Sequence, residues 1–316
     1  MGEKLLSVSN ISISFTQYVE GLRQTTFKVV NDLSLDINKG EIVAILGSSG
    51  SGKSLLAEAI LGILPKNASL SGEIKYKNQV LTQELKEKVR GDEISLIPQS
   101  VKYLDPLMKI SQQVIGECSS KEEFEAKKKK QRKIFEEYGL SEEVDNMYPF
   151  QLSGGMARRV LVSTAILSDP ELVIADEPTP GLDEEATQET LNYLKGIADN
   201  GAGVLLITHD IEAALEIADR IAIFYAGYVI EIANIEDFDN NGANLSHPYT
   251  IALYEALPQN KFAVTLGHQP LTDELGNNCP YLERCKCSLD ICSKEIPTLK
   301  NHQNKKVKCF LYDKEE

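Results

Sequence analysis

The sequence predicts an α/β fold built on a mixed, largely parallel sheet, and three observations predict it. Ile42-Val43-Ala44-Ile45-Leu46, Leu172-Val173-Ile174-Ala175 and Val204-Leu205-Leu206-Ile207 are short continuous apolar runs, the pattern of strands buried on both faces. The first run passes through a Gly/Ser-rich loop into a helix-like stretch, Lys53 to Leu64. A helical-looking segment, Glu184 to Ala198, separates the other two, so the alternation is β-α-β.

Taken in order, the elements begin with Leu5 to Ile37. Here Val8, Ile11, Ile13 and Phe15 alternate on one face, which reads as antiparallel strands joined by a polar turn around Gly21. The Lys/Glu-rich stretch from Lys121 to Glu143 reads as helix outside the sheet, and places an inserted helical subdomain at about 100–165. After Ile230 the pattern weakens into Asp237-Phe238-Asp239-Asn240-Asn241-Gly242, and beyond Pro258 the composition turns polar and cysteine-rich. The expected units are therefore 1–258 and a small Cys-rich appendage at 259–316. No internal repeat is visible, and a single phosphate-loop motif counts against two tandem copies of one unit.

Composition bounds the function classes. In 316 residues, 42% hydrophobic and 25% charged, there is material for a large core and no sign of disorder or a fibrous design. Against 33 Lys+Arg stand 47 Asp+Glu, a formal charge of −14, which opposes non-specific nucleic-acid binding because phosphates repel an acidic surface. The run Lys127 to Lys133 does not change this: Glu123 and Glu125 sit four residues before Lys127 and Lys129, the arrangement of a solvated helix face. Met1 to Asn10 lacks the apolar core of a secretory signal, and the longest strongly apolar stretch, Ile221 to Ile230, falls short of the roughly 20 residues that cross a bilayer. The expectation is a cytosolic chain whose membrane role, if any, comes through partners.

Chemistry concentrates at the strand ends. Gly47-Ser48-Ser49-Gly50-Ser51-Gly52-Lys53-Ser54 satisfies G-x-x-x-x-G-K-[ST] between a buried strand and a helix, where the mechanism requires it. Glycines let the backbone turn its N–H groups toward a β-phosphate, Lys53 pairs with β/γ-phosphate oxygens, and Ser54 ligates Mg²⁺. Asp176 and Glu177 end a second buried strand; the first carboxylate suits Mg²⁺ and the second an attacking water. Leu152-Ser153-Gly154-Gly155-Met156 places a Ser and two Gly at a helix start, a second anion site.

With that last motif in place the chain resembles the ABC ATPase family over roughly residues 5–255. Its other landmarks follow in order: Gln99 in Ile97-Pro98-Gln99 as the Q-loop, Gly181-Leu182-Asp183 as the D-loop, and His209 in Thr208-His209-Asp210 as the switch histidine. The resemblance implies ATP and Mg²⁺ as cofactors, Glu177, His209 and Gln99 as catalytic groups with Gln99 also near the metal, and Ser153, Gly154, Gly155 and Asp183 serving a nucleotide held by a second subunit. Phe15, with Tyr18 as the second choice, is the expected adenine platform; a buried core aromatic is the other reading of Phe15. Two departures stand out. Pro180-Gly181 replaces a small Ser/Ala pair ahead of Leu182-Asp183, and Arg158 stands where Gln often follows the signature.

Further stretches resemble the oligopeptide/dipeptide/nickel importer branch: Leu104-Asp105-Pro106, Ala218-Asp219-Arg220, Tyr225-Ala226-Gly227 and His247-Pro248-Tyr249-Thr250. Met156 in place of Gln is similar to the first of the two dissimilar ATPases of such importers. That implies a paralogous ATPase partner, two membrane permeases, an extracellular solute-binding protein acting indirectly, and a place on the cytoplasmic face of the membrane. Cargo stays open between peptides and nickel or another metal chelate, and a soluble non-transport ABC ATPase is the rival class. The branch tends to carry a cysteine tail, and Cys279, Cys285, Cys292 and Cys309 have its spacing, with Cys287 additional. The resemblance implies a [4Fe–4S] cluster; thiolate softness alone leaves zinc and free thiols as alternatives.

Overall fold

The computed structural model describes residues 2–20, 23–272 and 274–313. The expected turn around Gly21 lies outside them. Two sheets divide the molecule. In the smaller, β1 (Lys4–Glu20) and β2 (Arg23–Asn38) pair antiparallel, and β4 (Ala68–Tyr76) and β5 (Gln79–Val80) continue it in the order β2-β1-β4-β5. The alternation in the sequence reads out directly: Val8, Ile11 and Ile13 are buried, whereas their neighbours Ser9, Asn10 and Ser12 face outward or are half-covered.

The larger sheet runs β11-β12-β10-β9-β3-β8-β7-β6. Its parallel centre is β3 (Ile42–Leu46), β8 (Gly203–Thr208), β7 (Leu172–Asp176), β6 (Ile94–Ile97) and β9 (Arg220–Tyr225). Beside β9 the antiparallel β10 (Tyr228–Asn234) turns back, and β12 (Lys305–Val307) and β11 (Lys300–His302) extend it. The sheet is thus mixed, as expected. All five residues of β3 are buried, and they alternate between two cores: Val43 and Ile45 join the cluster under β1–β2, while Ile42, Ala44 and Leu46 join the cluster under the helices. A strand covered on both faces has no room for a polar position, which is why its sequence is an unbroken apolar run.

Helices α1 (Ser54–Leu61) and α2 (Gln83–Val89) belong to the β1–β2 side. Then α3 (Ile110–Ile115), α4 (Lys121–Glu137) and α5 (Gly154–Ile166) form the helical insertion, packing through Ile110, Val114, Phe135 and Val160. The helix α4 stops at Glu137, short of the expected Glu143, because Gly139 at φ +64° closes it; residues Glu142–Asn146 form a separate 3₁₀ turn. Lys127 pairs with Glu123 at 2.9 Å on its exposed face. Finally α6 (Glu184–Asp199), capped by Asp183, crosses between β7 and β8, and α7 (Ile211–Ile217), capped by Asp210, follows β8.

The chain after 258 is tied to this body. Besides the β12–β10 pairing, Lys308 N–H donates to the Ile230 carbonyl at 2.8 Å, and Tyr281 packs edge-on to Tyr225 and Tyr249. A division at 258/259 is therefore crossed both by the sheet and by an aromatic cluster.

Candidate nucleotide site

Three neighbouring strands deliver the chemistry to one end of the sheet. Leu46 is level with Thr208, and Asp176 with Ile207, so the ends of β3, β8 and β7 come to the same height. Ligands bind beyond the carboxyl ends of parallel strands because helix starts and loop amides converge there.

The loop after β3 can be built only with glycine at two places. A Cβ on Gly47 would stand 2.6 Å from the Phe224 carbonyl oxygen; one on Gly52, already at φ +96°, would stand 2.6 Å from Val29 Cγ1. Inside this loop the buried Lys53 donates from Nζ to the carbonyls of Gly47 and Ser48, each at 2.8 Å, and lies 3.7 Å from Glu177 Oε1. Burial lowers its pKa, while the charges of Glu177 and Asp176 oppose that fall. Ser48, Ser49 and Gly50 are exposed, Ser51 half-buried.

Asp176 accepts a 2.9 Å hydrogen bond from Ser54 Oγ, and burial raises its carboxyl above the ordinary range, with Glu177 adding to the rise. A half-buried carboxylate beside a hydroxyl, destabilised as an anion, is the donor set a hard divalent cation favours, so these residues fit Mg²⁺. Glu177 itself is held in the left-handed region at φ +47°, its N–H donating to the Ile207 carbonyl at 2.8 Å. A non-glycine residue there costs on the order of 1–3 kcal/mol, a strain that gathers at working sites. Its Oε2 meets His209 Nδ1 at 2.7 Å, so one buried carboxylate faces both the loop lysine and a half-exposed imidazole.

The other expected residues lie apart. Ser153 caps α5 by accepting from Met156 N–H at 3.2 Å, and Ser153 and Gly154 are exposed, with Gly155 half-buried; Asp183 is likewise exposed at the head of α6. Gln99 is exposed just past β6. Phe15 is half-buried and stacks on Phe27 with centroids 5.9 Å apart, whereas Tyr18 is 64% exposed. Sequence reasoning missed Arg158, read only as a departure. Its guanidinium is buried in α5 and donates to the carbonyls of Pro98 (2.8 Å) and Gln99 (2.9 Å), fastening the signature helix to the strand end that carries Gln99. A cation on a helix face otherwise made of Ala157, Val160 and Leu161 was the available signal.

The geometry lends the cysteine expectation no support. All six cysteines are free thiols, and among the described residues no group of three or more His, Cys, Asp or Glu side chains could hold a metal ion. Cys279, Cys285, Cys292 and Cys309 do share a neighbourhood: Cys279 N–H donates to the Cys292 carbonyl at 2.8 Å, and burial pushes Cys279 up to about 11 and Cys309 to about 12, helped by the other thiols. The four residues lie on irregular backbone, on or beside separate 3₁₀ turns.

A phosphate loop on a buried strand, a neighbouring acidic strand end and a helical insertion with a Ser-Gly-Gly start define a nucleotide-hydrolysing cassette. Residues 30–180 match the family model described as "ABC transporter", and residues 230–292 the one described as "Oligopeptide/dipeptide transporter, C-terminal region". The oligopeptide transport ATP-binding protein AppD of Bacillus subtilis (strain 168) is 33% identical over 98% of both chains. The dipeptide transport ATP-binding protein DppD of the same organism is 32% identical over 98% of this chain and 96% of its own. Among solved structures, the dimeric ABC transporter cassette MJ0796 superimposes with a TM-score of 0.62 at 27% identity, covering 73% of this chain and 99% of its own. The chain belongs to the ATP-binding proteins of ABC transporters, ATP-hydrolysing subunits, in the oligopeptide/dipeptide branch. Among the described residues no helix is long and apolar enough to cross a membrane.

Proposed function

We propose that this chain powers peptide import as one of two ATPase subunits at the cytoplasmic face of a membrane transporter, working on two permeases that receive cargo from an extracellular binding protein. The observation that carries the reading is the meeting of Lys53, Ser54, Asp176, Glu177 and His209 at one sheet end, in a chain whose relatives over nearly full length are named for oligopeptide and dipeptide transport. Those names favour peptides over the nickel alternative. The partner ATPase is a paralogue, because Met156 replaces the usual Gln of the signature.

The backbone of residues 47–52 holds the phosphates, and Lys53 leaves its own loop carbonyls to pair with them. Ser54 and Asp176 would hold Mg²⁺, with Gln99 approaching from the Q-loop, and the ion would supply positive charge against the phosphates. Glu177, released from Lys53, accepts hydrogen bonds from the attacking water, and His209 orients it toward the γ-phosphate. Phe15 stacks on adenine. Ser153, Gly154, Gly155 and Asp183 reach the nucleotide of the opposed subunit, a head-to-tail pairing supported by the exposure of Ser153, Gly154 and Asp183 at helix starts. The working division is a cassette of 1–258, with the insertion at about 100–165, and the tail of 259–316. In that tail Cys279, Cys285, Cys292 and Cys309 would hold an iron–sulfur cluster through their thiolates.

The test is specific activity of the lone chain against that of the chain reconstituted with its paralogue and permeases, with Lys53→Ala as control. Activity that rises on assembly and peptide stimulation supports the reading; equal rates would point to a self-sufficient ATPase. Lys53→Ala is expected to lose the ATP-dependent stabilisation of the wild type, about 2.7 kcal/mol at a hundredfold excess over Kd.

A further inference from the structure

We propose that the segment 264–272, from the tail, is the outer wall of the nucleotide site, and that Gln269 on it is a positioning residue that holds the phosphate loop through Ser48. The proposal rests on the nucleotide reading above and extends the site to a part of the chain that no phosphate-loop motif reaches.

Two observations carry it. Ser48 Oγ donates to Gln269 Oε1 at 3.0 Å, joining residues 221 apart in sequence and fixing the first variable position of the loop. Independently, a cavity of about 260 Å³ opens between the loop and this segment, bounded by Gln17 and Phe27 on one side, Gly50 and Ser51 beneath, and Gln269 and Thr272 opposite. Phe27 is the ring stacked on Phe15, so the cavity spans from the aromatic pair to the phosphate loop, the two ends of a nucleotide.

The segment is placed by polar tethers. Arg284 Nε donates to the Leu266 carbonyl at 3.3 Å, its stem lies 3.2 Å from where a Cβ on Gly267 would be, and Thr265 shares a side-chain hydrogen bond with Tyr281. At the other end Thr272 lies against Gly227, where a Cβ would stand 3.2 Å from its methyl group. Apolar burial contributes little, since Val264 and Leu266 are 82% and 85% exposed. A segment so tethered depends on Tyr281 and Arg284, and both lie between Cys279 and Cys285. The wall of the nucleotide site is therefore set by the cysteine tail.

A loop with glycines at positions 50 and 52 is costly to order, and a tether at Ser48 removes part of that cost before the ligand arrives. Measured with MgATP and MgADP on the full chain, Gln269→Ala is expected to raise Kd about 3- to 10-fold, the worth of one neutral hydrogen bond. In the assembled complex KM should rise by the same factor, more than kcat falls. Ser48→Ala should do the same, and the double variant should be no worse than either single, since both remove one interaction. Gln269→Glu keeps an acceptor for Ser48 but adds a negative charge facing the phosphates, so it should weaken MgATP more than MgADP, less so at high salt. Unchanged affinity in Gln269→Ala, additive single effects, or wild-type MgATP affinity in Gln269→Glu each overturns the proposal. Lys53→Ala separates the two readings: if it abolishes binding while Gln269→Ala does not alter it, the nucleotide site stands and only its outer wall is refuted.

Discussion

The strand ends that carry Lys53, Asp176 and Glu177 and the tail that carries Cys279, Cys285, Cys292 and Cys309 both present residues at meaningful spacing, yet only the first pulls its groups into contact. In the first, Asp176 and Glu177 end a buried strand and Lys53 closes the loop that follows another, and the register of these strands fixes their height to within one residue. In the second, Cys292 lies in a 3₁₀ turn, Cys285 and Cys309 flank two others, and Cys279 is on irregular backbone. Spacing becomes geometry when a rigid element translates it; on irregular backbone the same spacing fixes proximity and leaves direction to be supplied by a ligand.

The sharpest way to break the comparison is Glu177→Gln. If the strand end is the working site, this change spares Lys53, Ser54 and Asp176, leaves MgATP binding in place and lowers turnover of the assembled complex about 10²–10⁴-fold. Turnover within about twofold of wild type would remove Glu177 from the chemistry.

Next in size comes Arg158→Ala. It deletes two hydrogen bonds from a buried cation and unfastens α5 from the segment at Pro98–Gln99, at an expected cost of about 2–4 kcal/mol in denaturant unfolding. Arg158→Lys should recover only part of this, because an ammonium cannot fork between two carbonyls. Full recovery would mean that charge alone matters here.

A third expectation concerns His247, fully buried at the head of the helix Pro248–Glu255, with Nδ1 accepting from Tyr249 N–H at 3.1 Å. Burial holds the imidazole down at about 3 instead of 6.5. The unfolded chain takes up a proton below pH 6.5 that the folded chain refuses until about 3, so stability is full above that window and declines through it as pH falls. The limiting slope is ~1.4 kcal/mol per pH unit. Glu231, whose N–H partners are Ser246 and His247, is raised by burial above its ordinary 4.5 and acts in the opposite sense above that value, so the decline is clearest below pH 4.5. His247→Asn keeps a side-chain acceptor for the cap and should flatten that part of a thermal-melting profile against pH. An unaltered slope would assign it to other groups.

Smallest is Cys287→Ser. Cys287 is exposed and stands outside the spacing of the other four, so this change should alter neither iron nor zinc content of anaerobically purified protein. Metal that is present and lost with Cys287 would redraw the ligand set; a protein with neither metal would leave the tail as free thiols.

Much of the fold was legible because its central strands are buried on both faces, which forces an unbroken apolar run, and because β1 alternates with one wet face. The phosphate loop was legible because Gly47 and Gly52 have no substitute at their positions. Arg158 and Gln269 were not, since each acts across about 60 or more residues of intervening chain on a backbone carbonyl or a serine, partners that carry no signal of their own. Nor was the joining of β12 to β10: three residues, Lys305–Val307, are too few to show a period.

That short pairing has a consequence for handling the protein. Without residues 300–307, β10 would be the last strand of the large sheet, offering open N–H and C=O groups along an almost wholly apolar stretch, Tyr228-Val229-Ile230-Glu231-Ile232-Ala233. Such a margin recruits strands from other molecules. A fragment ending at 258 should keep every residue of the phosphate loop and still precipitate or associate through β10, whereas the full chain carries its own two-strand hem, with Lys300 on its outer strand to discourage further pairing.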